Sequence, residues 1–163
     1  MPPFESAGDA ALPPERLRAM SGLDLMRAVQ SGAIAPPSMA ATMNVKIAEL
    51  EEGRVVFEGE PTVAHLNPLG FVHGGWALTL LDSVTGCAAH TTLSPGLGYT
   101  TIETKGNFVR AILPQSGLIR AEGKVVAKGR TIITAEGRIA DAAGRLLAHG
   151  VSTLMVLRPQ NEA

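Results

Sequence analysis

The chain has 163 residues, 45% of them hydrophobic, and 14 Lys plus Arg against 15 Asp plus Glu give a formal net charge of -1. That suits one domain with a real core and excludes general disorder. The charge balance gives no reason to expect nucleic acid, whose phosphates require a basic face, and the single cysteine, Cys87, excludes a disulfide-stapled secreted scaffold.

Residues 1–12 read as a polar, proline-bearing leader, without the basic and apolar regions of a secretion signal. Pro13 and Pro14 open a predicted helix. Leu17, Met20, Leu25, Met26 and Val29 carry its amphipathic spacing to about Gln30; Gly22 weakens it and Gly32 stops it. Pro36-Pro37 form a linker. From Thr42 the period becomes two. Met43, Val45 and Ile47 predict a strand, Glu51-Glu52-Gly53 a turn, and Val55, Phe57 and Gly59 a second strand paired to the first.

The stretch from Pro61 to Val72 is irregular. Trp76 to His90 then has a 3.6-residue period in Ala77, Leu80, Leu81, Val84 and Ala88, with Leu78, Thr85 and Ala89 opposite. A helix apolar or small nearly all round is expected to be buried on most sides. Four more strands are predicted, at Tyr99–Arg110, Gly117–Ala127, Thr131–Ala140 and Arg145–Leu157. Short turns make the last three antiparallel neighbours. No apolar run approaches the ~20 residues of a membrane span, so a soluble cytoplasmic protein is expected.

Strands gathered around one long helix point to an α+β fold in which an antiparallel sheet wraps a central helix, with an extra N-terminal helix. The leader, short helix and Pro-rich linker occupy 1–39, the folded domain 40–158 and a tail 159–163.

The chemistry concentrates between Asn67 and Asp82. Gly74 and Gly75 stand where a loop becomes a helix. The first turn of a helix offers amides without partners and a positive dipole end, and the missing side chain at Gly74 lets a ligand oxygen approach. That is a candidate oxyanion hole. Asp82 lies about two turns further on, in an apolar helix, where a carboxylate is costly unless paired, hydrogen-bonded or facing a cleft. Asn67 has an amide able to orient water or a carbonyl. Each residue also has a plainer reading: a glycine turn, a solvated acid, an Asn-Pro turn. For His73, a backbone hydrogen bond at the helix start is the weightier expectation.

The combination of Asn67, His73-Gly74-Gly75 and Asp82 resembles the PaaI-type (phenylacetate-degradation) branch of the hotdog-fold acyl-CoA thioesterases, over about Ala40 to Leu157. The resemblance implies that Asp82 is the catalytic carboxylate, as nucleophile or general base. The Gly74 amide would polarise the thioester carbonyl, and Asn67 would position water or the leaving group. It also implies dimers with a site at each interface, the acid and the oxyanion donor coming from different subunits, and often dimers of dimers. His73 and Gly75 count among the substrate-contacting positions. Gly129-Arg130-Thr131 resembles a turn near the nucleotide end of coenzyme A, where a guanidinium suits phosphate. Asn107 and Phe108 resemble the strand lining the site, with Arg110 a second phosphate candidate. Leu69, Phe71 and Trp76 are further candidate lining.

One departure stands out. Some relatives carry a hydroxyl one helical turn after the acid, where it can hold the attacking water; here that position is Gly86, leaving the role unassigned.

No metal or separate cofactor is expected: the four histidines lack ligand spacing, no G-x-S-x-G elbow is present, and coenzyme A belongs to the substrate. Two other functions compete. One is a hotdog dehydratase or hydratase using His73 and Asp82. The other is an acyl-CoA binding module without turnover, against which an acid in the pocket argues.

Overall fold

The structure is a computed structural model that describes residues 14–158; the leader, Pro13 and the 159–163 tail lie outside the described residues. The single N-terminal helix expected from the spacing is two, α1 (Pro14–Ala19) and α2 (Gly22–Gln30). Ser21 breaks them apart in extended conformation and caps α2 by accepting from the Asp24 amide at 3.1 Å. Gly22 is therefore a helix start and not a weak interior point. Its amide donates to the Leu93 carbonyl at 3.0 Å, and a Cβ there would lie 1.8 Å from the His90 carbonyl oxygen. Only a residue without a side chain lets α2 dock so closely.

A short α3 (Ser38–Met43) precedes the first strand, where alternation alone predicts strand from Thr42. Asn44 ends it with φ 53°, a left-handed conformation that asparagine tolerates. Next come β1 (Val45–Glu51) and β2 (Arg54–Gly59), joined through Gly53 at φ 76°. The central helix is α4 (Gly74–Thr91), a little longer than predicted. The last strands are β3 (Gly98–Phe108), β4 (Ile119–Lys128), β5 (Ile132–Asp141) and β6 (Leu146–Leu157). They form one antiparallel sheet in the order β1-β2-β4-β5-β6-β3, with β3 at an edge.

Leu80, Leu81, Val84 and Ala88 of α4 are fully buried against Val55, Ile119, Ala121 and Ile139 of the sheet. Each Leu or Val so buried contributes roughly 1.5–3 kcal/mol. On the outer face, Val56 is also buried, contrary to a simple alternation. It pairs with Glu49 and Glu122, which share Arg54 at 2.8 and 3.1 Å. The stems of that ion network cover the valine.

The helix settles into the sheet over a row of glycines. Gly123, Gly137, Gly150 and Gly106 are direct cross-strand partners along β4, β5, β6 and β3. A Cβ at Gly123 would stand 2.2 Å from the Val84 carbonyl oxygen; at Gly137 or Gly106 it would press on leucine methyls at 3.0 and 3.1 Å. Backbone therefore meets backbone, and α4 lies closer to the sheet than side chains would permit.

Candidate functional site

β3 runs alongside α4 in the opposite direction, and a bulge sets which of its residues look at the helix. Thr101 pairs with Leu154 and Glu103 with Thr153, so Ile102 is the extra residue. Before it Tyr99 and Thr101 are the sheltered positions; after it Thr104 and Gly106 are. Down the pair, Tyr99 meets α4 at Gly86, Thr104 at Asp82, Gly106 at Leu78 and Leu81, and Phe108 at Gly74.

Asp82 is half-buried, and Thr104 Oγ1 donates to its Oδ1 at 2.9 Å. Behind Thr104 stands a chain of hydroxyls. Ser152 Oγ is 3.1 Å from Thr104 Oγ1 and 2.7 Å from Thr85 Oγ1, and Thr85 donates to the Leu81 and Asp82 carbonyls. Thr85 and Ser152 are both buried. A carboxylate in a mostly apolar helix is thus met by a fixed donor, as the cost of its desolvation requires. Thr104 and Ser152 were not among the expected site residues. Only the bulge turns Thr104 inward, and the sequence carries no signal for it, whereas Ser152 follows the regular alternation of β6 and could have been placed facing the helix.

Hollows flank the acid on two sides. One, about 360 Å³, opens along the exposed β3 edge between Leu78, Thr79, Thr101 and Ile102. The other, about 230 Å³, lies between α3 and α4, where Met39, Met43 and Phe57 supply apolar walls and Ser83, Cys87 and Tyr99 line the part near Asp82. Burial, and then the Asp82 charge, push the Cys87 thiol up to about 12, so it is an inert thiol at neutral pH.

At the start of α4, His73 is the N-cap, its Nδ1 accepting from the Gly75 amide at 2.8 Å. That bond uses Gly75. The Gly74 amide has no acceptor among the described residues, and a Cβ at Gly74 would touch the Phe108 ring at 3.4 Å. Asn67 Oδ1 accepts from the Leu69 and Phe71 amides at 2.9 and 3.2 Å, so its oxygen organises the loop and only its NH2 is left for a ligand. His73 and Asp82, nine residues apart on one helix, are separated by ~13 Å along the axis and form no pair within one chain.

The other expected residues divide. Phe108 lies over Gly74, whereas Asn107 is exposed and, as its strand neighbour, faces the opposite way, so both cannot line one wall of a site within one chain. Trp76 is core and not lining: it is 4% exposed and its Nε1 donates to the Met43 carbonyl at 3.0 Å. Leu69 and Phe71 are exposed on the loop. Arg110 donates to the Leu146 carbonyl at 2.7 Å. Gly129, Arg130 and Thr131 form the β4–β5 turn at the far end of α4, where Lys128 donates to the Thr92 carbonyl. Gly129 N bonds Ile132 O at 2.7 Å, and Val156 N bonds Thr131 O at 2.8 Å; the Arg130 side chain is exposed. One chain therefore places this turn and Gly74 at opposite ends of the helix.

Comparisons with known proteins bear on the family and the fold. The thioesterase superfamily model matches residues 69–148, which hold α4, β3, β4 and β5. A protein of Saccharolobus solfataricus named as an esterase is 33% identical over 121 residues, covering 74% of this chain and 84% of its own. The 1,4-dihydroxy-2-naphthoyl-CoA hydrolase of Listeria monocytogenes is 25% identical over 115 residues, 71% of this chain and 92% of its own. Among solved structures, a phenylacetic acid degradation-related protein from Ralstonia eutropha superposes with a TM-score of 0.73 at 27% identity, covering 80% of this chain and 98% of that one.

Proposed function

The chain belongs to the thioesterase superfamily, with the hotdog fold, and on that premise we propose that it hydrolyses acyl-CoA thioesters to the free acid and CoA. The observation that carries the proposal is Asp82: a carboxylate inside a largely apolar helix, held by Thr104 and open to hollows on two sides. A structural acid would be fully paired, and a binding pocket for a neutral acyl chain has no use for it. The hydrolase name of the Listeria relative supports coenzyme A thioesters as the substrate class.

In this mechanism the thioester carbonyl oxygen accepts from the Gly74 amide, which stands at the positive end of the helix dipole and is not used by the His73 cap. Asp82 either takes a proton from a water that attacks the carbonyl carbon, or attacks that carbon itself to give a mixed anhydride that water then hydrolyses. In both routes the C–S bond breaks, water supplies the oxygen of the free acid, and its released proton goes to the CoA thiolate. Gly74 and Asp82 of one chain are ~12 Å apart along α4, too far to serve one carbonyl. The acid and the oxyanion donor therefore come from different subunits. The open β3 edge beside Asp82 is the surface through which a dimer would form, and dimers would pair into tetramers. Pairing also removes the need for one chain to unite Gly74 with the distant Arg130 turn, whose guanidinium is free for the CoA phosphates.

Thiol release from phenylacetyl-, benzoyl-, hexanoyl- and isobutyryl-CoA tests the reading. The wild type is expected to release thiol from at least one, and Asp82→Asn to lose about two or more orders of magnitude in kcat with its assembly unchanged. No thiol from any of them, or a near-normal Asp82→Asn rate, overturns it.

A further inference from the structure

A carboxylate acting on water needs a second group to hold that water, and the helix denies one at the obvious place. Gly86, one turn beyond Asp82 on the same face, has no hydroxyl. The space above Gly86 is occupied all the same. The Tyr99 hydroxyl stands 2.6 Å from where a Gly86 Cβ would be, with ring carbons at 2.9 and 3.1 Å. A side chain at position 86 and the phenol at 99 are thus mutually exclusive. Tyr99 also lines the same hollow as Asp82, Ser83 and Cys87. Side chains one turn apart lie about 5–6 Å from each other, the span that a single water bridges with two hydrogen bonds.

We infer that the Tyr99 hydroxyl, reaching in from β3, is the group that positions the attacking water against Asp82. The inference rests on the proposed acyl-CoA hydrolysis. Asp82 takes one water proton as general base, while the Tyr99 oxygen accepts a hydrogen bond from the other O–H, whose proton stays on the attacking oxygen and ends on the product acid. The water lone pair is then free to form the C–O bond. When the C–S bond breaks, the proton held by Asp82 passes to the CoA sulfur.

The competing hydroxyls are less suited. Thr85 is spent on the Leu81 and Asp82 carbonyls and on Ser152, and Thr104 is spent on Asp82 Oδ1. Ser83 shares the hollow, yet as the next residue it lies about 100° round the helix from Asp82. Thr79 and Thr101 line the other hollow, along the β3 edge, and not the one that holds Tyr99. The Tyr99 hydroxyl has no hydrogen-bond partner among the described residues, and the His90 ring packs on the phenol ring at 5.5 Å between centroids. Burial, followed by the charges at Cys87 and Asp82, raises the phenol above its ordinary range, so it remains a neutral hydroxyl throughout the working pH.

Two variants and a swap test this with the CoA ester that the wild type turns over fastest. Tyr99→Phe keeps the ring on His90 and Gly86 and removes only the oxygen. It is expected to lower kcat about 10- to 100-fold, the range of one lost hydrogen bond to the reacting water, with KM within about twofold and the melting temperature unchanged. Tyr99→Leu should fall as far, and Tyr99→Leu with Gly86→Ser should recover at least tenfold of the loss, because the hydroxyl moves from strand to helix. A purely structural Tyr99 would give no such recovery. Wild-type kcat in Tyr99→Phe, or a loss seen instead in Ser83→Ala, Thr79→Ala or Thr101→Ala, overturns the assignment. If Asp82→Asn is inactive while Tyr99→Phe is normal, only the Tyr99 inference fails. If Asp82→Asn is also normal, the reading beneath it fails as well.

Discussion

Gly123→Ala perturbs the device that seats the catalytic helix. The added Cβ would lie 2.2 Å from the Val84 carbonyl oxygen, 2.3 Å from its carbon and 2.8 Å from the Thr85 amide nitrogen, all backbone. Ordinary contact begins at 3.4 Å, so α4 must lift by roughly 1 Å at Val84. A gap of that size forfeits about a quarter to a half of each dispersion contact along the lifted stretch. Val84 and its neighbours Leu80, Leu81 and Ala88 are fully buried, so the cost should reach or exceed the upper end of the ~1–3 kcal/mol typical of overpacking. Gly137→Ala is the matched control. There the new Cβ meets the Leu81 Cδ2 at 3.0 Å and the Thr85 Cγ2 at 3.2 Å, side-chain ends that can give way. It should cost about 1 kcal/mol. Urea unfolding separates the two, and for a chain of this length each kcal/mol moves the melting temperature by about 2–4 °C. The lift would also pull Asp82 from Thr104, so Gly123→Ala should lose turnover even well below its melting point. Equal stability of the two variants, or Gly137→Ala as the weaker, would refute the close-seating explanation.

His73→Ala removes the acceptor for the Gly75 amide and should cost about 1 kcal/mol, with His73→Asn recovering most of it; turnover that vanishes in both while folding is normal would make His73 part of the chemistry. Cys87 predicts an alkaline limb of stability. Its thiol pKa is higher folded than unfolded, so its contribution is complete below the unfolded value of about 8.5 and is lost as pH rises from there towards about 12. Up to ~2 kcal/mol should disappear between pH 8.5 and 10, with the raised Tyr99 phenol adding a loss of the same sign above about pH 10. Native protein at pH 8 should react with a thiol reagent more slowly than the unfolded chain, because the raised Cys87 thiol is hardly ionised there; native modification as fast as that of the unfolded chain would contradict the raised thiol.

Much of the architecture was legible because periodicity is a local property. Leu80, Leu81, Val84 and Ala88 declare a buried helix from their spacing alone, and alternation with Lys128-Gly129-Arg130 and Asp141–Gly144 places the β4-β5-β6 meander. Asp82 stands out for the same reason, as a charge where the helix period demands apolar residues. The N-terminal break at Ser21 and the short α3 were not legible, because docking on His90 and the left-handed Asn44 decide them.

What the sequence by itself determined is the set of parts: one long apolar helix, six strands, a glycine pair at the helix start and an acid two turns later. What only the tertiary structure decided is which side chains attend that acid. One extra residue, Ile102, reverses the facing of β3 and so brings Thr104 and Tyr99 to the same helix. Facing alternates with every residue of a strand, so a single bulge re-aims all that follow, and no local pattern announces it.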